Sequence, residues 1–219
     1  LDSLFGNPIF NGRSLGPRGR SRATRCQTAA EYTLRWGWTV ALADAGADAG
    51  AGADDAGAGI GAAVDAGTVE LPPGSGPTEL RDAWLRRPGA ELRLRTGLRF
   101  DALDVPEAVG YQALVRLERM GVRPGPVLLA PRSRALFLVA PHTAEVLPDL
   151  LYRTGWDDAE LDLVCHGAGA SVPAPPTPMT RWLRRPSLDT TARPPEARLL
   201  LGTLAYACHR GVAELVGRH

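Results

Sequence analysis

The stretch LRFDALDVPEAVGYQALVRLERMG, residues 98–121, changes its hydrophobic period at Pro106. Before the proline the pattern reads as a strand running from Leu98 to Val105. After it, Val109, Ala113, Leu117 and Met120 fall on one stripe of a helix that Gly121 ends. Pro106 suits the first helical position, where a missing N–H leaves nothing unpaired. Any fold of this chain must therefore end a strand and start a helix around two acids, Asp101 and Asp104.

Elsewhere helices and strands follow each other without regular βαβ repetition, which predicts an α+β fold. A helix covers the segment before Gly37, and a short strand WTVALA follows. Thr78 reads as the N-cap of a helix that stops before Pro88. Leu92 and Leu94 alternate with Arg93 and Arg95 in a strand that turns at Thr96-Gly97. GPVLLAPRSRALFLVAP reads as a hairpin turning around residues 131–134, with Arg132 and Arg134 in the turn. Thr143 then caps another helix. AELDLVCHGAGASVPAPP is strand, glycine turn and strand, and a last helix closes the chain. Residues 1–25 read as an irregular basic arm, and 26–216 as one domain. That domain is interrupted at 44–70 by an Ala/Gly/Asp tract too poor in apolar side chains to offset its ordering entropy.

The charge pattern is uneven. All 25 basic side chains are arginine, and five of them fall in the first 30 residues against a single acid, Asp2. Such an arm suits a solvated tail or electrostatic contact with nucleic acid. Cys26, Cys165 and Cys208 are odd in number and widely spaced. They form neither a disulfide framework nor a zinc cluster, which fits a reducing cytoplasm. No apolar run reaches the roughly 20 residues that span a bilayer, and no secretory leader stands at Leu1.

The acids at 101 and 104 are poorly spaced for a two-metal centre. Two hard cations about 3.5–4 Å apart need carboxylates on one face, and a strand supplies them at i, i+2. Asp101 and Asp104 stand at i, i+3 and point to opposite faces, while the position two after Asp104 is Pro106. On spacing alone Asp104 favours the positive end of the following helix and Asp101 is solvated. His142, His166 and His209 show no ligand spacing and read as surface or turn residues. Trp182, among Arg181, Arg184 and Arg185, reads as a packed aromatic under a charged rim, with base stacking as the alternative.

Taken in order, RTGLRFDALDVPEAVGYQALVRLERMG, GPVLLAPRSRALFLVAP, LPDLLYRTGWDDAELDLVCHGAGASVPAPPT and RWLRRP…LGTLAYACHR resemble the actinobacterial bifunctional DNA primase/polymerase proteins of the archaeo-eukaryotic primase superfamily. The resemblance implies an RRM-like mixed or antiparallel sheet flanked by helices. It also implies metal-dependent nucleotidyl transfer from nucleoside triphosphates on a DNA template, with Mg²⁺ or Mn²⁺ and no zinc. Asp104 matches the first acid of the family's D-x-D motif, and Pro106 replaces the second. Ala135 falls where a nucleotide-contacting histidine is expected, and Asp162 matches a later acid. Asp104 and Asp162 are thus the candidate catalytic and metal residues, and Arg132 and Arg134 the candidate nucleotide or nucleic-acid contacts. The leading expectation is a degenerate primase/polymerase-like domain with lost or weak transferase activity and residual nucleotide or nucleic-acid binding. An active single-ion enzyme and a regulatory or scaffold protein on the old fold remain the alternatives.

Overall fold

The structure is a computed structural model, and it describes residues 17–44, 62–63, 68–177 and 179–216. The fold is α+β and is built on two antiparallel sheets of five strands. In chain order the elements are α1 (Pro17–Ala30), continued by a π-helical turn (Glu31–Arg35), β1 (Val40–Ala43), β2 (Ala62–Ala63), β3 (Val69–Leu71), α2 (Pro77–Arg86), β4 (Glu91–Arg95) and β5 (Asp101–Pro106). They continue with α3 (Glu107–Arg119), β6 (Val127–Ala130), β7 (Arg134–Val139), α4 (Thr143–Thr154), β8 (Val164–His166), β9 (Ala170–Pro173), β10 (Arg181–Arg184), α5 (Leu188–Ala192) and α6 (Arg198–Val216). The first sheet has the order β2-β9-β4-β1-β3, and the second β10-β6-β7-β5-β8.

Two sheets arise where one was expected because two tight turns carry the chain across rather than back. β4 pairs with β1 and β9 in the first sheet, whereas β5 pairs with β7 and β8 in the second. The glycine turn after β8 makes the reverse crossing to β9. The two crossings touch. Thr96 donates its N–H to the Ala170 carbonyl at 3.1 Å and its hydroxyl to the Gly167 carbonyl at 2.6 Å. Gly97 has φ +85°, and a Cβ there would lie 2.3 Å from the Ala168 Cα. Only glycine meets both demands.

Strand alternation divides the interior. In the second sheet Ala102, Leu128, Ala130, Leu136 and Leu138 join a core with Leu92 and Leu94 of the first sheet and with Ala29, Leu80 and Trp84 of α1 and α2. Leu103, Val105, Ala135, Phe137 and Val139 face the other way, against Val109, Ala113 and Leu117 of α3 and Leu200 and Leu204 of α6. Asp104 therefore shares the face of Ala102, toward the first core, and Asp101 the face of Leu103.

Several local readings change. α1 begins at Pro17, so the arm is helical over 17–25; its first 16 residues lie outside the described ones. Of the tract at 44–70, residues 45–61 and 64–67 lie outside the described residues, but β2 falls within it and β3 begins in it, and they pair with β9 and β1. The N-cap of α2 is Gly76 rather than Thr78: Pro77 takes the first helical position, and Glu79 accepts the Gly76 N–H at 2.7 Å. Pro106 ends β5 and precedes α3 instead of opening it. Met120 is exposed and off the buried stripe. The hairpin turn is shorter than expected, residues 131–133, which leaves Arg134 as the first residue of β7. Residues 181–184 form an edge strand in a stretch that lacks the alternation of a half-buried strand.

Gly97→Ala is expected to destabilise the fold by about 3 kcal/mol, because it combines a left-handed backbone with a backbone clash. Urea denaturation checks this, and a change no larger than that of a surface substitution contradicts the crossing-turn account.

Candidate active site

Asp104 sits on β5, with β7 on one side and β8 on the other. Its register partners are Leu136 and Val164. Arg134 lies opposite Pro106, and His166 opposite Ala102. Each is thus one diagonal step from Asp104 on the same face, within reach of a long side chain or a ring. Strand alternation places one carboxylate between two basic groups.

The contacts follow that placement. Arg134 donates from Nε to Asp104 Oδ1 at 2.7 Å, and from Nη1 to both Asp162 oxygens at 2.8 Å. His166 meets the other Asp104 oxygen through Nε2 at 2.8 Å. With a carboxylate as acceptor, that ring nitrogen carries the proton. The Asp104 side chain is fully buried, Arg134 retains 13% of its exposure, and Asp162 retains 41%. A bare carboxylate at such a depth is prohibitively unfavourable, whereas one with two charge-assisted bonds is tolerated. Burial works against the Arg134 charge, but Asp104 and Asp162 outweigh it and hold the guanidinium above its ordinary range. Nη2 of Arg134 is buried and has no hydrogen-bond partner among the described residues.

Asp101 has a different task. It is buried, not solvated, and its Oδ2 accepts the Ala144 N–H at 2.9 Å in the first turn of α4. Burial raises its pKa, against the lowering effect of backbone N–H groups and of His142. The two acids do point to opposite faces, and Asp101 does not join the Asp104 cluster.

Arg132 remains in the exposed turn with φ +58°. It lines a hollow of about 310 Å³ with Ser133, Glu107, Thr180 and Arg181. Ala135 faces the helix layer: a Cβ added at Gly110 of α3 would lie 2.4 Å from its own Cβ. A histidine at 135 would enter that core. The residue beside Asp104 is Arg134, one position earlier. Trp182 is packed against the first core and donates from Nε1 to the Tyr32 hydroxyl at 3.2 Å.

His166 is the member that sequence reasoning missed. The available signal was period two: Asp162, Val164 and His166 alternate with Leu161, Leu163 and Cys165, which pack against the helix-side core. Read as one strand face, LDLVCH presents an acid and a histidine together.

A family model for the bifunctional DNA primase/polymerase N-terminal domain matches residues 29–197. The chain belongs to that family. No curated protein and no solved structure matches it.

The metal ions that the family implies can be tested against these residues. A two-ion centre needs open carboxylate oxygens converging on a groove. Here the oxygens of Asp104 and Asp162 are bonded to a guanidinium and an imidazole, and Pro106 offers no ligand atom. Among the described residues no group of three or more His, Cys, Asp or Glu side chains stands so as to hold an ion. The arrangement does not fit a divalent pair.

Arg134→Ala, which leaves buried Asp104 with only part of its compensation, is expected to destabilise the fold by about 3 kcal/mol in urea denaturation. A loss within the range of an exposed ion pair contradicts the geometry. For Asp101, a folded pKa above the unfolded one means a contribution fully present below the unfolded value of about 3.9 and lost as pH rises through the folded value. Asp101→Asn keeps an acceptor for Ala144 and removes this contribution. Its stability should exceed the parent's increasingly as pH rises from acid to neutral, and parallel pH profiles contradict the assignment.

Proposed function

We propose that the chain is a primase/polymerase-family domain in which nucleotidyl transfer is lost or weak and a basic surface for nucleotide or nucleic acid is retained. The observation that supports this reading is the guanidinium of Arg134 bonded to both Asp104 and Asp162. These are the acids that the family resemblance nominates for catalysis and for Mg²⁺ or Mn²⁺. With both engaged by an internal cation, neither ion has an open ligand set. Arg132 and Arg181 flank the hollow beside the hairpin turn and are the donors it offers to a phosphate oxygen. Single-stranded DNA and nucleoside triphosphates are the partners this surface suits. No helix among the described residues is long and apolar enough to cross a membrane. The three cysteines are free thiols, which suits the cytoplasmic setting the sequence reading assigns.

Primer extension in Mg²⁺ or Mn²⁺ tests the catalytic half. The expected result is no extension above that of Asp104→Ala, and robust Asp104-dependent extension overturns the reading. Fluorescence anisotropy with a single-stranded oligonucleotide tests the binding half. Binding should weaken with salt, and loss of Arg132 and Arg181 should flatten the log–log slope by about 0.7 for each phosphate contact removed. Salt-independent binding contradicts it.

A further inference from the structure

We propose that a cavity sharing no residue with the Asp104 cluster binds a small zwitterion, a molecule with one carboxylate, one ammonium and an apolar body. Free amino acids and short peptides have that chemistry. The cavity measures about 620 Å³ and lies where α1, the turn from α2 into β4 and the segment after β9 meet. That volume falls in the range of small-molecule sites, about 300–1,000 Å³. Leu92 and Pro176 give it apolar walls, and the turn contributes Gly89 and Ala90. A Cβ added at Gly89 would meet nothing within 4 Å, so no neighbour fills the space on that side.

Arg25 of α1 is the cation of the site. Its guanidinium carbon stands 5.8 Å from the centre of the Trp84 ring, within cation–π range. Trp84 is itself buried, and its Nε1–H donates to the Ala90 carbonyl at 3.0 Å. The stacking restrains the guanidinium before a ligand arrives, which lowers the entropy cost of binding. Arg25 makes no ion pair among the described residues, and its Nε is buried without a hydrogen-bond partner among them. Its charge is partly stripped of water with no acid to compensate it.

Glu91 supplies the anion. It opens β4, is exposed, and makes no ion pair among the described residues. Among the described residues that line the cavity, Arg25 and Glu91 are the only charged ones. Unpaired on one cavity, they are separated by more than the roughly 4 Å of an ion pair. One cation and one anion kept apart fit a ligand with complementary charges at its two ends. A phosphate ester, with a charge of about −1.5 to −2, leaves part of that charge uncompensated beside Glu91. A simple amine meets Arg25. A zwitterion does neither: the guanidinium donates to its carboxylate, Glu91 accepts from its ammonium, and Leu92 and Pro176 meet its apolar side chain.

Calorimetric titration of the full chain with L-leucine and with the tripeptide Ala-Leu-Ala tests the site, and the indole N–H signal of Trp84 in NMR reports where binding occurs. The expected result is saturable binding of one or both with a shift of that signal, and the tighter probe sets the size of the ligand. Arg25→Gln and Glu91→Gln should each weaken binding about tenfold. Leucinamide, which lacks the carboxylate, should bind the parent and Arg25→Gln alike. N-acetyl-leucine, which lacks the ammonium, should bind the parent and Glu91→Gln alike. These matched pairs separate a lost ligand contact from a damaged fold. Absence of saturable binding by both probes overturns the inference, as does tighter binding of adenosine monophosphate or unchanged affinity in both variants. The outcome is independent of Asp104 and of primer extension, so this site and the functional reading above stand or fall separately.

Discussion

The organisation of the second sheet turns on one buried carboxylate. Asp104 has no exposed side-chain surface and sits on a strand paired on both sides. Water cannot solvate it, so neighbouring strands must. β7 supplies a guanidinium and β8 an imidazole, each from the diagonal position on the same face. Through Arg134 the demand extends to Asp162 and the approach to β8. Three segments distant in sequence are thus tied at a point where an apolar core would otherwise be continuous. Partial replacement of such a pair leaves a buried charge uncompensated, and this is why the cluster behaves as a unit.

The same interaction decides what the site can do chemically. Family membership brings an expectation of acids that hold divalent ions. In this chain the acids are present but already bonded to a covalently tethered guanidinium. Arginine suits that role better than lysine, because its planar fork binds two carboxylates at once and keeps its charge at any physiological pH. Pro106 belongs to the same picture. It ends β5 at the position where the D-x-D pattern would supply a further carboxylate, and it faces Arg134 across the β5–β7 ladder.

Much of the architecture was legible in the sequence. The change of period at Pro106 located β5 and α3, and the glycine-bounded apolar runs located β6 with β7 and β8 with β9. The division into two sheets was not legible. Local patterns show that a chain turns at Thr96-Gly97 but not which strands it pairs with afterwards, and the close approach of Gly97 to Ala168 is a contact between residues far apart in the chain. Within the site, Asp104 and Asp162 were picked out by the family resemblance, yet their shared partner Arg134 was read only as a turn residue. Arg134 reads as a turn residue unless the turn is known to end at Ser133, and a difference of one residue moves its side chain onto the Asp104 face. His166 shows no ligand spacing with the other histidines or the cysteines, and only the two-residue alternation it shares with Asp162 marks it. Ala135 shows the converse: alignment by motif places a residue within one position, whereas strand geometry distinguishes opposite faces.

The most direct measurement of the central claim is the NMR signal of the Arg134 side-chain Nε–H in the unmodified chain, followed as Mn²⁺ is added. A guanidinium locked between Asp104 and Asp162 predicts a slowly exchanging Nε–H resonance that keeps its position and intensity in the presence of Mn²⁺. Selective broadening of that resonance together with those of the Asp104 and His166 side chains would show an ion entering the cluster and would contradict the account.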